Sequence, residues 1–345
     1  MTSVMMQQEK TAGTSVGNAS RRSQATWALL RKSWLETRWL LGGLIILMGS
    51  LFWMRVWLIS RLDSGRFQQI LELLPEGIRS MTRVDFQWIV THTGRLSMGF
   101  EEPMVVLVMA IWAISRGSDV VAGELSRGTM EMMLAQPVTR RRAFWVPVLY
   151  GLGGVVLLAL TSLLGTALGV WTIKANEAYY PSIHLPFWKH EIPLPFGEPE
   201  SIKVPMSELV QTSAFWPAAL NLFSLGVFFL GLSLAFSAVD RHRWRAIGGV
   251  TIVLIIMSLV KVLAMSQPSF SWLLWLSGFT AYEPALFVQQ SQTDPQSVRS
   301  LWFYNELGEF RFSHWMYHGT LLFLGTALTG YASFVFRSRD LPAPL

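Results

Sequence analysis

The chain has no cysteine and little charge. Without cysteine, its 345 residues cannot form disulfides, thiolate metal sites or a cysteine nucleophile. Charged residues make up only 14%, where a soluble domain carries about 25%. Histidines number six, so material for a metal centre is scarce. There is no glycine-rich phosphate loop ending in Gly-Lys-Ser/Thr, and no kinase or metalloprotease signature. The chain is therefore expected neither to bind nor to hydrolyse ATP by itself, and to carry no metal or cofactor. What it has in excess is apolar sequence: 51% hydrophobic residues and a mean hydropathy of +0.37. That balance belongs to polytopic membrane proteins and overrides a length that would suit two soluble domains.

The apolar runs predict an all-α fold with six membrane-spanning helices, at about 39–59, 99–121, 143–173, 214–239, 246–265 and 314–336. Some twenty residues at about 1.5 Å each cover a hydrocarbon layer of roughly 30 Å. The second run, PMVVLVMAIWAI from Pro103, is short. It spans only if its helix continues through Gly99-Phe100 and into Val120-Val121. Residues 1–26 are polar and read as a tail, not a signal peptide. Residues 27–38 put Trp27, Leu30 and Trp34 on one side, as in an interfacial helix, with a simple start of the first span as the alternative. Residues 39–339 then form a single membrane domain.

Connecting segments differ in character. Residues 60–101 form a polar loop with turn chemistry in LLPEGIRS, at Pro75 and Gly77. Residues 174–213 carry Pro181, Pro186, Pro193, Pro195, Pro199 and Pro205 among aromatics, an extended, interface-loving composition. The stretch SWLLWLSGFTAYEPALF, 271–287, is broken by Gly278, Glu283 and Pro284. It reads as two short pieces dipping into the membrane after the fifth span. In the third span, Gly165 and Gly169 make a small-xxx-small pair. Gly151-Leu152-Gly153-Gly154 follows no strand, so it reads as close helix packing and not as a dinucleotide loop.

Six spans put both termini on one side. That side would carry sixteen Lys and Arg, the opposite side ten on much longer loops, and Arg55 and Lys261 would lie near span ends and snorkel. The positive-inside rule then puts the termini, residues 115–142 and the tight turn 240–245 in the cytoplasm. This distribution, not the net charge of +6, argues against nucleic acid as a partner.

Between the second and third spans lies SRGSDVVAGELSRGTMEMMLAQPVTRRR, Ser115 to Arg142. Val120, Val121, Leu125, Met130, Met133 and Leu134 recur at roughly helical spacing, which predicts a short amphipathic helix from Val120 to Leu134. Glu124, Arg127 and Glu131 are spaced to pair along one face. Met130, Met132 and Met133 suit adaptable packing on a partner. Pro137 ends the helix, and three arginines follow. Such a helix either lies among lipid headgroups or docks into a groove on a soluble partner.

GELSRGTMEMMLAQPVTRRR resembles the signature of type-2 ABC exporter permeases: glutamate, glycine-threonine, an apolar-acidic-apolar-apolar run, then glutamine, proline and arginine. The chain departs from it where the family often has Gly-Lys and Trp145-Val146-Pro147 stands instead. A second echo, Leu276-Ser277 to Tyr282-Glu283-Pro284, is similar to the family's segment after its fifth span. The resemblance implies a permease of the cytoplasmic (inner) membrane that works as a dimer with a second copy or homologue, surrounded by membrane lipids. A separate ATP-binding subunit, carrying ATP and Mg, would energise it. The segment is then a coupling helix, with Gly123, Glu124, Leu125, Arg127, Gly128, Thr129, Met130, Glu131, Leu134 and Pro137 on that subunit. Tyr282 and Glu283 are candidates for substrate contact or gating, Glu283 being an acid in an apolar setting. A helix-capping or hydrogen-bonded structural role for Glu283 stays open. So does a non-transporting role, as an anchor or as an assembly factor for an extracytoplasmic or motility complex. His314 and His318, four apart, have metal-ligand spacing but sit among aromatics that suit a membrane-interface belt. Polar groups are too isolated for an intramembrane enzyme.

Overall fold

Lipid offers no hydrogen bonds to the backbone, so apolar runs of this length satisfy their own N–H and C=O groups by forming helices. The computed structural model describes residues 2–62, 84–134, 138–179, 182–183, 192–193, 200–304 and 310–339. Among these, six helices are long and apolar enough to cross a membrane: span 1, Gln24–Ile59; span 2, His92–Ser126; span 3, Arg140–Thr172; span 4, Thr212–Val239; span 5, Arg243–Ser266; and span 6, His314–Ser338. The chain is a multi-pass membrane protein.

Span 1 is the end of one helix that starts at Thr2. The expected tail, interfacial helix and first span are thus one continuous helix. Span 2 does extend on both sides of its apolar centre. A 3-10 turn, Met98–Glu101, leads into the helix Pro103–Ser118, and a π-helical turn, Asp119–Gly123, prolongs it.

Span 4 is apolar on every face, and 83% of its most apolar window is buried, against 11% for span 5. A helix without a polar face belongs in the middle of a bundle. Span 4 accordingly touches spans 2, 3, 5 and 6, while span 5 lies at the edge. Small residues set the closest approaches, as expected where lipid gives little hydrophobic drive for association. A Cβ on Gly231 of span 4 would run into the Gly325 backbone of span 6. Gly165 of span 3 faces the Gly49 backbone and Phe52 of span 1, and Gly169 faces Val56. Gly154 lies beneath the Trp112 ring, whose Nε1–H donates to the Gly151 carbonyl at 2.8 Å.

Strands occur only in connections. β1 (Lys174–Tyr179) pairs antiparallel with β4 (Glu200–Pro205), and β2 (Ser182–Ile183) with β3 (Ile192–Pro193). The Asn176 N–H donates to the Ser60 carbonyl at 3.3 Å, which ties β1 to the end of span 1. β5 (Trp302–Tyr304) and β6 (Phe310–Phe312) form a third antiparallel pair before span 6. LLPEGIRS, Pro137 and most of the proline-rich stretch, with His184, His190 and Glu191, lie outside the described residues. After span 5 the backbone is broken as its composition requires. 3-10 pieces Pro268–Leu276 and Gly278–Ala281 are followed by the helix Pro284–Thr293.

Arg55 and Lys261 each have a partner within the protein. Arg55 pairs with Glu102 and donates to the Arg95 carbonyl at 3.0 Å. Lys261 lies 2.7 Å from Glu283 Oε1. A partner inside the protein answers each charge more cheaply than reaching for water does.

Candidate functional site: a polar elbow and an apolar groove

At one end of span 2 the chain turns through a knot of charge. The π-helical turn Asp119–Gly123 leaves backbone N–H groups displaced from their usual partners, as such turns do. Ser237 of span 4 takes them up: its Oγ accepts from Ala122 N at 2.9 Å and Val121 N at 3.3 Å, and donates to the Ser118 carbonyl at 3.1 Å. Asp119 and Glu124 are both buried there. Glu124 accepts from Lys32 of span 1 at 2.7 Å, from Arg127 at 2.8 Å and from the Thr129 hydroxyl at 2.5 Å. Asp119 binds Arg127 at 2.8 Å and faces Arg243 of span 5 at 3.3 Å and Arg116 at 3.4 Å. Burial works against the Arg127 cation, but Asp119, then Glu124, outweigh it and hold its pKa above the ordinary value. Spans 1, 2 and 5 thus meet at two carboxylates.

The expected single helix from Val120 to Leu134 is two pieces. Glu124–Ser126 ends in a turn at Arg127 and Gly128, and Thr129–Leu134 follows. Gly128 has φ of +68°, a left-handed conformation that costs a side-chain-bearing residue about 1 kcal/mol or more. The Glu124–Arg127 pair forms, but Arg127 turns back to Asp119; the side chains of Glu131 and Leu134 lie outside the described residues. Apolar residues of the segment face inward. Val120, Val121 and Met130 are buried, Gly123 sits against the Asp119 carboxylate, and Leu125 and Met133 pack on the core. Of the three methionines expected to meet a partner, Met132 alone is exposed, at 65%. The surface offered outward is Ser126, Arg127, Gly128 and Met132.

From this elbow a groove runs between spans 2 and 5. Its volume is 790 Å³. Arg243 and Ser115 lie at one end, Glu101, Lys261 and Tyr282 at the other, and Val106, Ala110, Ile114, Ile247 and Leu254 between them. From Arg243 to Lys261 is about 27 Å along the helix axis, close to a full hydrocarbon layer. Lys261 also donates to the Phe279 and Tyr282 carbonyls at 3.0 Å each. Tyr282 is buried and donates its hydroxyl to the Phe100 carbonyl at 2.5 Å.

A family profile described as "ABC-2 family transporter protein" matches residues 11–341. The chain belongs to the ABC-2 transporter family. No curated protein matches it. Membership makes this ABC-2 chain an ABC transporter permease, and membrane subunits of the family work with an ATP-binding subunit.

In the ABC-2 chain Tyr282 and Glu283 are joined to the same end of the groove, Glu283 through Lys261. His314 and His318 are buried side chains in the first turns of span 6. Their rings pack on Trp216 and Phe287, and His318 Nδ1 lies 3.2 Å from Asn221 Nδ2. Among the described residues, the one cluster of three ligand-type side chains is Glu36, Asp119 and Glu124. Lys32, Arg116, Arg127 and Arg243 already surround those carboxylates, which leaves no charge for a metal to neutralise. Sequence reasoning did not single out Asp119, Ser237, Asn221 or Glu101. For Asp119 a signal existed, since Arg116 precedes it by three residues on the same helix face. For Ser237 and Asn221 there was none: each lies in an apolar helix, and its partners are sixty or more residues away.

Proposed function

We propose that this permease is the membrane subunit of an ATP-driven exporter in the cytoplasmic (inner) membrane. Both termini and the elbow face the cytoplasm. A separate subunit binds ATP and Mg and docks on the outward surface of the elbow, around Ser126 to Gly128 and Met132, with Pro137 and Glu131 beyond it. Two permeases, identical or homologous, work as a pair within the membrane lipids. When the ATP-binding subunits close, they push the elbow. The ion pairs of Asp119 and Glu124 pass that push to spans 1 and 5 together, and the groove between spans 2 and 5 opens toward the outer leaflet.

One observation carries this reading: the exposed turn at Gly128 is tied by buried carboxylates to three different spans. A lever works only if it is stiff where it is held and free where it is pushed. The native cysteine-free chain makes the test clean. Ser126→Cys should crosslink to single cysteines on the co-purified ATP-binding subunit. Gly128→Val should leave that subunit bound and its basal hydrolysis present while ATP-driven transport falls at least about tenfold. Gly128→Asn, which tolerates the left-handed turn, should restore it. Labelling of Ser126→Cys from the outside of intact cells, or full transport by Gly128→Val, would end the proposal.

A further inference from the structure

We propose that the groove selects cationic amphiphiles, because its far mouth holds more carboxylate than the protein neutralises. This rests on the reading of the groove as the substrate path. Three charged groups gather at that mouth: Glu101, Glu283 and Lys261. Lys261 is committed to Glu283 at 2.7 Å and to two backbone carbonyls. The neighbouring Glu102 is spoken for by Arg55. Glu101 has no cation within 4 Å among the described residues, and its carboxylate accepts only the Ala285 N–H, at 3.2 Å. It lines the groove directly.

An ionised carboxylate can accept about four hydrogen bonds, and in apolar surroundings an unanswered one is costly. With Glu101 ionised, the mouth lacks one positive charge. An ammonium or guanidinium group beside Glu101 supplies it. The rest of such a molecule has a place as well. Apolar side chains run the length of the groove, and 790 Å³ is the size of pocket that encloses a drug-sized ligand. At the opposite end Arg243 is already held by Asp119, Ser115 and Ser118, so it offers an anionic head no open partner. The match is a molecule with a greasy body and one cationic head. A neutral amphiphile of the same shape would leave Glu101 unanswered.

The purified permease in a nonionic detergent is titrated with radiolabelled dodecyltrimethylammonium and competed with unlabelled C12 amphiphiles whose heads are cationic, neutral or anionic. The cation should compete at about tenfold lower concentration than the neutral compound, and the anion should compete worst. Glu101→Gln, nearly isosteric, should abolish the preference between cation and neutral. Glu101→Asp should keep it, and Lys261→Gln should strengthen it; gel filtration checks that each variant is folded. Equal competition by cation and neutral compound, or a preference that survives Glu101→Gln, overturns the inference. No ATP-binding subunit is present in this assay. A negative result with the crosslinking and transport results intact removes the substrate class alone. A cation preference without coupled transport removes the exporter reading instead.

Discussion

At the residue scale, Glu124 is the most heavily used side chain of the elbow. It is buried, yet Lys32 and Arg127 reach it from half-exposed positions, so solvent screens part of the attraction. Glu124→Gln keeps the shape and removes the charge. The expected loss is about 1–3 kcal/mol of unfolding free energy in mixed micelles, the range for hydrogen bonds to charged groups. A variant as stable as the parent would show that Asp119 alone holds the elbow. Asp240, in the turn between spans 4 and 5, gives a pH prediction. Burial pushes its carboxyl up, but N–H groups of His242 at 3.0 Å and Arg241 at 2.7 Å, with the Arg245 cation, hold it below the usual carboxylate range. A depressed carboxylate contributes stability that is complete above its unfolded pKa and lost as pH falls through the folded one. The protection of the Arg241 and His242 amides, measured against the intrinsic exchange rate at each pH, should therefore fall below the ordinary carboxylate range and stay constant at neutral pH. Asp240→Asn should flatten that dependence.

Among elements, the contact between spans 4 and 6 is the tightest constraint on the bundle. Gly231 faces the Gly325 backbone, and Gly325 faces the backbone of Val227 and Phe228, with no room for a methyl group at either. Gly231→Ala should cost about 1–3 kcal/mol through overpacking and lower the temperature at which the detergent-solubilised chain aggregates. Gly153 lies on the same kind of helix with nothing near its would-be Cβ, so Gly153→Ala should be nearly silent. If the two variants behave alike, helix propensity and not helix contact is responsible. Glycine content alone does not distinguish these positions. Both occur in apolar runs, and only the neighbour across the interface separates them.

For the whole molecule, Lys261 joins the edge helix, span 5, to the broken segment that follows it. Span 5 has few buried residues of its own, and this link works beside the bond from the Ser277 hydroxyl to the Met257 carbonyl at 2.8 Å. Lys261→Met would leave the Glu283 carboxylate buried and without its cation, a loss of about 3–5 kcal/mol for a fully buried pair and less here, where Lys261 is partly exposed. The segment 278–293 should then loosen as a unit. Limited proteolysis should cut within 278–293 in Lys261→Met and not in the parent, and Lys261→Met with Glu283→Gln should recover much of the protection. Unchanged protection in the single variant would mean that the apolar packing of Phe279 and Phe287 holds the segment by itself.

Hydropathy alone determined the six membrane-spanning helices, because their lengths answer to the thickness of the hydrocarbon layer and to a backbone that must bond to itself. The family was likewise legible, in some twenty residues from Gly123 to Arg142. Local pattern failed where a residue's role depended on what lay opposite. Periodicity joined Val120 to Leu134 into one helix, but the left-handed turn at Gly128 divides it, since spacing of apolar residues is blind to backbone sign. Met130 and Glu124, which the resemblance placed on a partner subunit, are buried within this chain, Glu124 against Lys32. Local pattern sent Arg55 and Lys261 toward the interface because their partners, Glu102 and Glu283, were invisible at that range. Charges in an apolar bundle are answered by whichever opposite charge the helix packing brings within about 4 Å. That pairing reaches from about twenty residues, for Lys261 and Glu283, to more than a hundred, for Asp119 and Arg243, so only the tertiary structure decided it.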